Sequence, residues 1–411
     1  MGWVSFILRA AFRRGPVLLG RVLRFSRYEM LTVVQESEVS APQNLKTYKR
    51  FAFVRAWWAD GQLGNLSDEL SESTHFYRFR EVALSANRRG GFLRSGRQLI
   101  VPGNGLPGPS RVFFASSHVG GIVDQVGQHV LAIRPERWNR LERGIFAGSM
   151  APHNWFHWII DNLPALYQAR FLPDEFNEYP LLVPVAAKNR ANWLAALDTV
   201  SAGRKVVFVE DDRWFQVDDL VRIEGVTRPN PRPLRSRERA RVGVMTAPLI
   251  DYRNFVLTQL ELALVPVVPG HRLFIGRKPS GVRSYNQEEV FSVAEGYGFE
   301  RVFLEDLTFE DSVRAFREAE IVAGPHGAGW ANMLFCRPET RAMLWTWEDE
   351  EEDNWYENIA YVAAVDYLQL SVPVVDNPGL DKRVADYHLD PSVFEQGLRD
   401  LLGRPSRVAR S

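Results

Sequence analysis

Short apolar runs alternate with stretches of helical periodicity twice along this chain, and that alternation restricts the fold more than any other feature. From Gly144 the order is "GIFAGS" (strand), "NWFHWIIDNLPALYQARF" (helix), "PLLVPVAA" (strand), "ANWLAALDTV" (helix) and "KVVFVED" (strand). It returns with "RLFIGR", the helix "QEEVFSVAEGYG", "RVFLED", the helix "FEDSVRAFREA", "EIVAG", the helix "AGWANMLFC" and "AMLWTW". Strands and helices at this spacing imply parallel βαβ units with right-handed crossovers. In the second series Val290, Phe291, Ala294 and Tyr297 share one helix face, and Phe309, Val313 and Phe316 share another. Between the two series lies "RPNPRPLRSRERAR" (228–241), broken by proline and rich in arginine, which is the best linker candidate. The stretch from Tyr28 to Arg140 shows only short strand-like pieces such as "RQLIV" and "QHVLAI".

Composition excludes some classes of function. A length of 411 residues favours two domains, and 45% hydrophobic with 24% charged residues suits a folded protein. Fifty basic and fifty acidic side chains give a net charge of +0, without the basic excess of a protein that neutralises many phosphates, so no nucleic-acid partner is expected. The single cysteine, Cys336, excludes an intramolecular disulfide framework and points to a reducing compartment, the cytoplasm. Residues 1–27 depart from the average, with six arginines and no acidic residue, so this piece carries +6 and the remainder −6. Trp3, Phe6, Ile7 and Phe12 among those arginines suit a helix on an anionic membrane surface, hence peripheral contact with the inner face of the membrane. A terminal helix packed on its own domain accounts for them equally well. The acidic run "EDEEEDN" from Glu348 is read as a solvated loop, and "EDDRW" at Glu210 as a strand end.

Three blocks carry chemistry. "GPHGAGWANMLF" follows the apolar run Ile321–Ala323 with three glycines, at 324, 327 and 329, where a strand-to-helix turn needs about one. Glycines that permit positive φ and remove Cβ atoms, followed by a helix N-terminus, make an anion site, most plausibly for a phosphate, to which His326 adds a hydrogen bond or a charge. A tight turn with close helix-to-sheet packing is the bland alternative. "RLFIGRKPSGVRSYNQEE" places Arg277, Lys278 and Arg283 after a strand on the same edge of the same sheet, and Arg277 could hold a pyrophosphate bidentately. Asn286 and Glu289 fit a capping box. In "HNWFHWIIDNLP" the groups His153, His157 and Asp161 recur every four residues and so share a helix face. A zincin would need glutamate where Asn154 stands. A polar helix edge, or an inter-domain cleft in which a carboxylate serves as general base, are the other readings.

With these blocks in this order, from about Gly148 to Trp347, the chain resembles glycosyltransferase family 61, which includes bacterial polysaccharide-synthesis enzymes and eukaryotic xylosyl- and N-acetylglucosaminyltransferases. The resemblance implies a GT-B fold, an α/β architecture of two Rossmann-like domains facing a cleft. It implies sugar transfer with inversion from a nucleotide-sugar, a UDP-sugar, to a glycan or lipid-linked glycan acceptor in polysaccharide biosynthesis, with no cofactor and no essential metal. Carried over by position, Arg277 binds the donor diphosphate, with Lys278 and Arg283 in support. Gly324, His326, Gly327, Ala328 and Gly329 hold the phosphate or donor sugar, and Asn332 sits one turn into the helix. Asp161 is the expected base, with Asn154 and His157 shaping the acceptor side. Gly276 stands where serine is frequent in the family, and Trp330 where leucine is usual, which bears on the base or sugar pocket. The expected division is a basic segment 1–27, an acceptor-side domain 28–240, a nucleotide-sugar domain 241–375 and a tail 376–411 packing back on the amino-terminal domain. The contrasting functions are a non-catalytic nucleotide-sugar-binding protein and a metal-dependent hydrolase using His153, His157 and Asp161.

Overall fold

A computed structural model describes residues 28–48, 52–59, 62–69, 72–87, 90–101, 122–134, 138–147, 151–210, 213–229, 242–279, 282–347, 355–373 and 385–404. The arginine-rich segment 1–27, the linker beyond Pro229 and the acidic run 348–353 lie outside these residues. Among the described residues no helix is long and apolar enough to cross a membrane.

The chain forms two units, Met1–Phe51 with Leu70–Ala240, and Ala52–Glu69 with Arg241–Ser411. The second therefore contains a hairpin drawn from the amino-terminal part, which departs from a boundary enclosing all of 28–240. Ala52–Ala59 and Gln62–Glu69 pair antiparallel with each other, and Ala52–Ala59 pairs with Val242–Met245 beyond the linker. Local pattern carries no trace of a pairing over such a sequence distance.

The first unit is mixed α/β. Strands β1 (Trp138–Phe146), β2 (Leu181–Pro184), β3 (Val206–Val209) and β4 (Trp214–Ile223) are parallel in the order β3-β2-β1-β4, with helix α1 (Ala191–Ser201) between β2 and β3. Beyond β4 the sheet continues through Glu72–Asn87, antiparallel to β4, and on to strands from the region 28–133. Most of this unit's sheet thus lies outside the parallel βαβ series predicted from the sequence. Period-two alternation covers both faces: Val82, Leu84, Ile100 and Val34 enter one core cluster, while Ala83, Leu99, Val101 and Val33 enter another.

The second unit holds five parallel strands, β5 (Arg272–Ile275), β6 (Phe299–Val302), β7 (Ile321–Pro325), β8 (Arg341–Trp347) and β9 (Asp366–Val372), in the order β6-β5-β7-β8-β9. Numbered within the unit this is 2-1-3-4-5, one of the two common doubly wound orders, in which strand order reverses between the first and third strands. Here that is the gap between the ends of β5 and β7. Phe274, Ile321, Ala323, Met343 and Trp345 pack against Val290 and Ala294 of α3 (Gln287–Gly296) and Phe394, Leu398 and Leu401 of α6 (Pro391–Gly403). The carboxyl-terminal helix is therefore core to its own unit. Helices α2 (Thr246–Gln259), α4 (Phe309–Glu318) and α5 (Trp355–Ala363) complete the unit. In α4, Thr308 caps the start by accepting from the Asp311 amide, and the predicted face of Phe309, Val313 and Phe316 is buried, each side chain contributing about 1.5–3 kcal/mol.

Candidate functional site

Strand β5 delivers Gly276 and Arg277 to the switch point. A Cβ on Gly276 would lie 2.7 Å from the Phe303 ring, so the phenylalanine at 303 explains the absence of serine here. The Arg277 amide donates to Gln287 Oε1 at 2.6 Å, which fixes the backbone, and Nη2 donates to the His326 carbonyl oxygen at 2.6 Å. The two blocks that the sequence placed on one sheet edge are thus in direct contact. Lys278 turns away and pairs with Asp306 on the surface. Arg283 occupies the left-handed region at φ 54°. Asn286 does not cap α3; its side chain donates to Glu289 and to the Leu389 carbonyl and accepts from the Leu389 amide, tying the loop to the chain ahead of α6.

The glycines act by lacking Cβ rather than by positive φ, which none of the three adopts; Gly327 is extended at φ 179°. A Cβ on Gly324 would stand 2.6 Å from Ile275 Cβ, so this glycine lets β7 approach β5. One on Gly329 would stand 2.4 Å from Leu304 Cδ1 and one on Gly327 3.5 Å from Arg277 Nη2. The following segment, Ala328–Phe335, is a 3-10 helix and not the expected α-helix. Ala328 and Gly329 open it, so their amides have no acceptor within the helix. Trp330 points inward, donating Nε1–H to the Pro325 carbonyl at 2.9 Å and meeting Phe316 edge-on, so it is a core residue and does not shape a base or sugar pocket. Asn332 is likewise inside at 1% exposure, with Oδ1 unpartnered among the described residues.

His326 is half-buried between two rings that sequence reasoning missed, Trp347 with centroids 4.8 Å apart and Tyr356 at 5.2 Å. Burial, then the charges of Arg283 and Arg277, push its pKa down to about 3. At neutral pH the imidazole is uncharged, so it offers hydrogen bonds and not the cationic charge considered above. Trp347 ends an ordinary apolar strand and Tyr356 follows the acidic run, so nothing local in the sequence marks either.

Expected outcomes separate the glycines. Gly324→Ala forces β5 and β7 apart at a backbone-fixed atom and should cost about 1–3 kcal/mol. Melting should fall about 2–4 °C per kcal/mol in a unit of this size. Gly327→Ala meets only ordinary contacts, the nearest at 3.5 Å from Arg277 Nη2, and should melt unchanged by differential scanning calorimetry.

In the first unit, the predicted helix after β1 is not continuous. It runs as α-helix over Trp155–His157, π-helix over Trp158–Asn162, then Leu163–Tyr167 and a 3-10 turn. Pro164 supplies the cause: it has no N–H for the Ile160 carbonyl and its ring crowds that turn, so the chain widens and the Leu163 amide bonds back to Trp158. Asn162 donates its side chain to the His157 carbonyl at 2.8 Å. Within this wide turn His157 Nδ1 meets Asp161 Oδ2 at 2.7 Å, and Thr227, beyond β4, donates to Asp161 Oδ1. Asp161 is 0% exposed and the His157 side chain 17%. The expected base is therefore enclosed with both oxygens engaged, and the histidine is the member that reaches the surface. Asn154 is the N-cap, accepting from the Phe156 amide at 2.9 Å. His153 lies in the turn before the helix with its carbonyl accepting from Arg190, so the expected three-residue polar face does not form. A second pair follows the same pattern at the end of β4: His75, 34% exposed, meets buried Glu224 at 2.9 Å.

With this geometry in hand, comparison with known proteins gives one finding. Residues 155–343, a little under half of the chain, match the family Glycosyltransferase 61. The span takes in His157, Asp161, Arg277 and His326, and supports the resemblance to that family and a glycosyltransferase activity. No curated protein is significantly similar to the chain.

Proposed function

We propose that this protein is an inverting glycosyltransferase that moves a sugar from a nucleotide-sugar, a UDP-sugar, to a hydroxyl of a glycan or lipid-linked acceptor in polysaccharide biosynthesis, without an essential metal. The GT-B arrangement implied by the resemblance is part of this reading. The observation that carries it is the meeting of the Arg277 guanidinium with the His326–Gly327 loop at the strand-order reversal, the place where doubly wound sheets bind their ligands.

In this reading the diphosphate is held by Arg277, with Arg283 and the amides of Gly327, Ala328 and Gly329, and these groups stabilise the charge that grows on the leaving oxygen. His157 is the base and Asp161 positions it. Asp161 receives Nδ1–H and so fixes the tautomer in which Nε2 carries the lone pair. The acceptor oxygen bonds to C1 as the bond from C1 to the phosphate oxygen breaks; the proton passes to His157 Nε2 and the electron pair leaves with the nucleoside diphosphate.

The test is a thermal-shift screen of nucleotide-sugars followed by product detection with the stabilising donor. A ligand at 100 times its Kd should add about 2.7 kcal/mol of stability. Failure of every nucleotide-sugar to raise the melting temperature would discard the assignment.

A further inference from the structure

A cavity of about 350 Å³ opens beside Arg277, between the end of β5 and the first turn of α3. That volume falls within the range of small-molecule sites, about 300–1,000 Å³. Pro279, Val282 and Tyr285 give its lining an apolar part, and Gln287 adds a carboxamide. Arg277 and Lys278 are met by Glu288 and Glu289 in the same lining, so the space favours a neutral group over a second anion. Its walls are fixed from behind. Tyr285 stacks on Tyr387, with ring centroids 5.1 Å apart and 7° between the planes. The Ser284 amide donates to Asp386 at 2.7 Å, and the Tyr387 amide donates to the Ser284 carbonyl at 3.1 Å. A space already held in shape loses little freedom when a ligand enters.

Gln287 decides which chemical edge this cavity can read. Its Oε1 accepts the Arg277 amide N–H at 2.6 Å and the Tyr285 hydroxyl at 3.3 Å. A backbone N–H can only donate, so the oxygen and nitrogen arms of the carboxamide are told apart by chemistry. Among the described residues Nε2 has no hydrogen-bond partner, in contrast to the neighbouring Asn286, both of whose arms are engaged with Leu389. Gln287 therefore offers the cavity N–H donors and no acceptor. A carbonyl oxygen answers such a group and an amino group does not. Uracil carries a carbonyl oxygen at C4, where cytosine carries an amino donor.

We propose that this cavity receives the base of the nucleotide-sugar, and that Gln287 Nε2–H, by donating to the C4 carbonyl oxygen of uracil, sets the choice of UDP over CDP. This inference rests on the function proposed above, in which the diphosphate lies on Arg277. A base stands one ribose away from its phosphates, and the cavity begins at that same arginine. Cytosine in this position turns its amino group toward the Nε2 donors and leaves both groups without an acceptor, which is the discrimination a polar site achieves best.

Gln287→Glu keeps an oxygen for the Arg277 amide and replaces the N–H donors by a second acceptor, so the local anchor survives while recognition inverts. The full chain and this variant are titrated calorimetrically with inorganic pyrophosphate, UDP and CDP. The unsubstituted chain should bind UDP about 10-fold more tightly than CDP, and Gln287→Glu should lower that ratio about 10-fold, the scale of one unpaired polar group. The ratio is the readout because the added negative charge weakens both nucleotides alike. Ser284→Trp tests the cavity apart from the hydrogen bond: it sets a ring at an exposed position of the lining and should weaken UDP about 10-fold while leaving pyrophosphate within about twofold. Equal affinity of the unsubstituted chain for UDP and CDP, or an unchanged ratio in Gln287→Glu, overturns the proposal and leaves the sugar-transfer reading in place. So does a Ser284→Trp variant that binds UDP undiminished or loses pyrophosphate equally. If the unsubstituted chain binds neither UDP nor pyrophosphate, the proposed function falls and this inference with it.

Discussion

His157→Ala should lower the rate of sugar transfer about 10²–10⁴-fold while leaving the affinity for UDP within a factor of two. The size follows from the work assigned to the ring. An acceptor hydroxyl is a poor nucleophile until its proton is removed, and positioned general bases typically supply that much acceleration. Nucleotide affinity should hold because the groups assigned to the diphosphate, Arg277 and the loop at 326–329, come from the other unit. Asp161→Asn gives a sharper form of the same test. Asparagine preserves the shape at a fully buried position but turns either an amide N–H or a weaker acceptor toward Nδ1. Transfer should fall with a change in the pH profile of kcat, as the base loses its orienting carboxylate, and circular dichroism should show a folded chain. Equal transfer rates for His157→Ala and the unsubstituted protein would remove His157 from the role of base.

Arg277→Lys should weaken UDP binding about 10- to 100-fold, and Arg277→Ala further. The lysine variant keeps the charge, so a site relying on charge alone would tolerate it. The structure predicts otherwise: Nη2 is already spent on the His326 carbonyl, and only a planar guanidinium can hold that bond while presenting further N–H groups to a phosphate. An ammonium cannot do both in the same geometry. Hydrogen bonds to charged groups contribute about 1.5–3 kcal/mol, and each 1.4 kcal/mol is tenfold in Kd, which sets the range. Lys278→Ala is the internal control: its ammonium is paired with Asp306 on the surface, and its removal should change UDP affinity little. A titration in which Lys278→Ala costs more than Arg277→Lys would contradict this account of the strand end.

The parallel series was legible because each of its elements announces itself locally. Apolar runs such as Ile321–Ala323 are buried on both faces, and the spacing of Phe309, Val313 and Phe316 gives a helix period regardless of surroundings. The contact between Arg277 and the His326 loop was legible for a topological reason, since both blocks follow strands of one parallel sheet. Other features depend on partners distant in sequence. The use of Gly324 is set by Ile275, that of Gly329 by Leu304, and the enclosure of His326 by Trp347 and Tyr356. The enclosure of Asp161 was not legible, because one of its oxygens is held by Thr227, far along the chain. The widened turn that joins His157 to Asp161 did have a signal, the proline at 164, which a reading of polar spacing alone passes over.

The hairpin Ala52–Glu69, whose first strand registers Val54 against Val244 and Phe53 against Met245, bears on how such a protein can be rearranged. A gene cut at the arginine-rich linker would strand one edge of Val242–Met245 without its neighbour and expose it to pairing with other chains. The second unit is consequently not a cassette that recombination or an engineer could lift out in one piece; it is stitched to residues 52–69, and any transplant must carry both fragments.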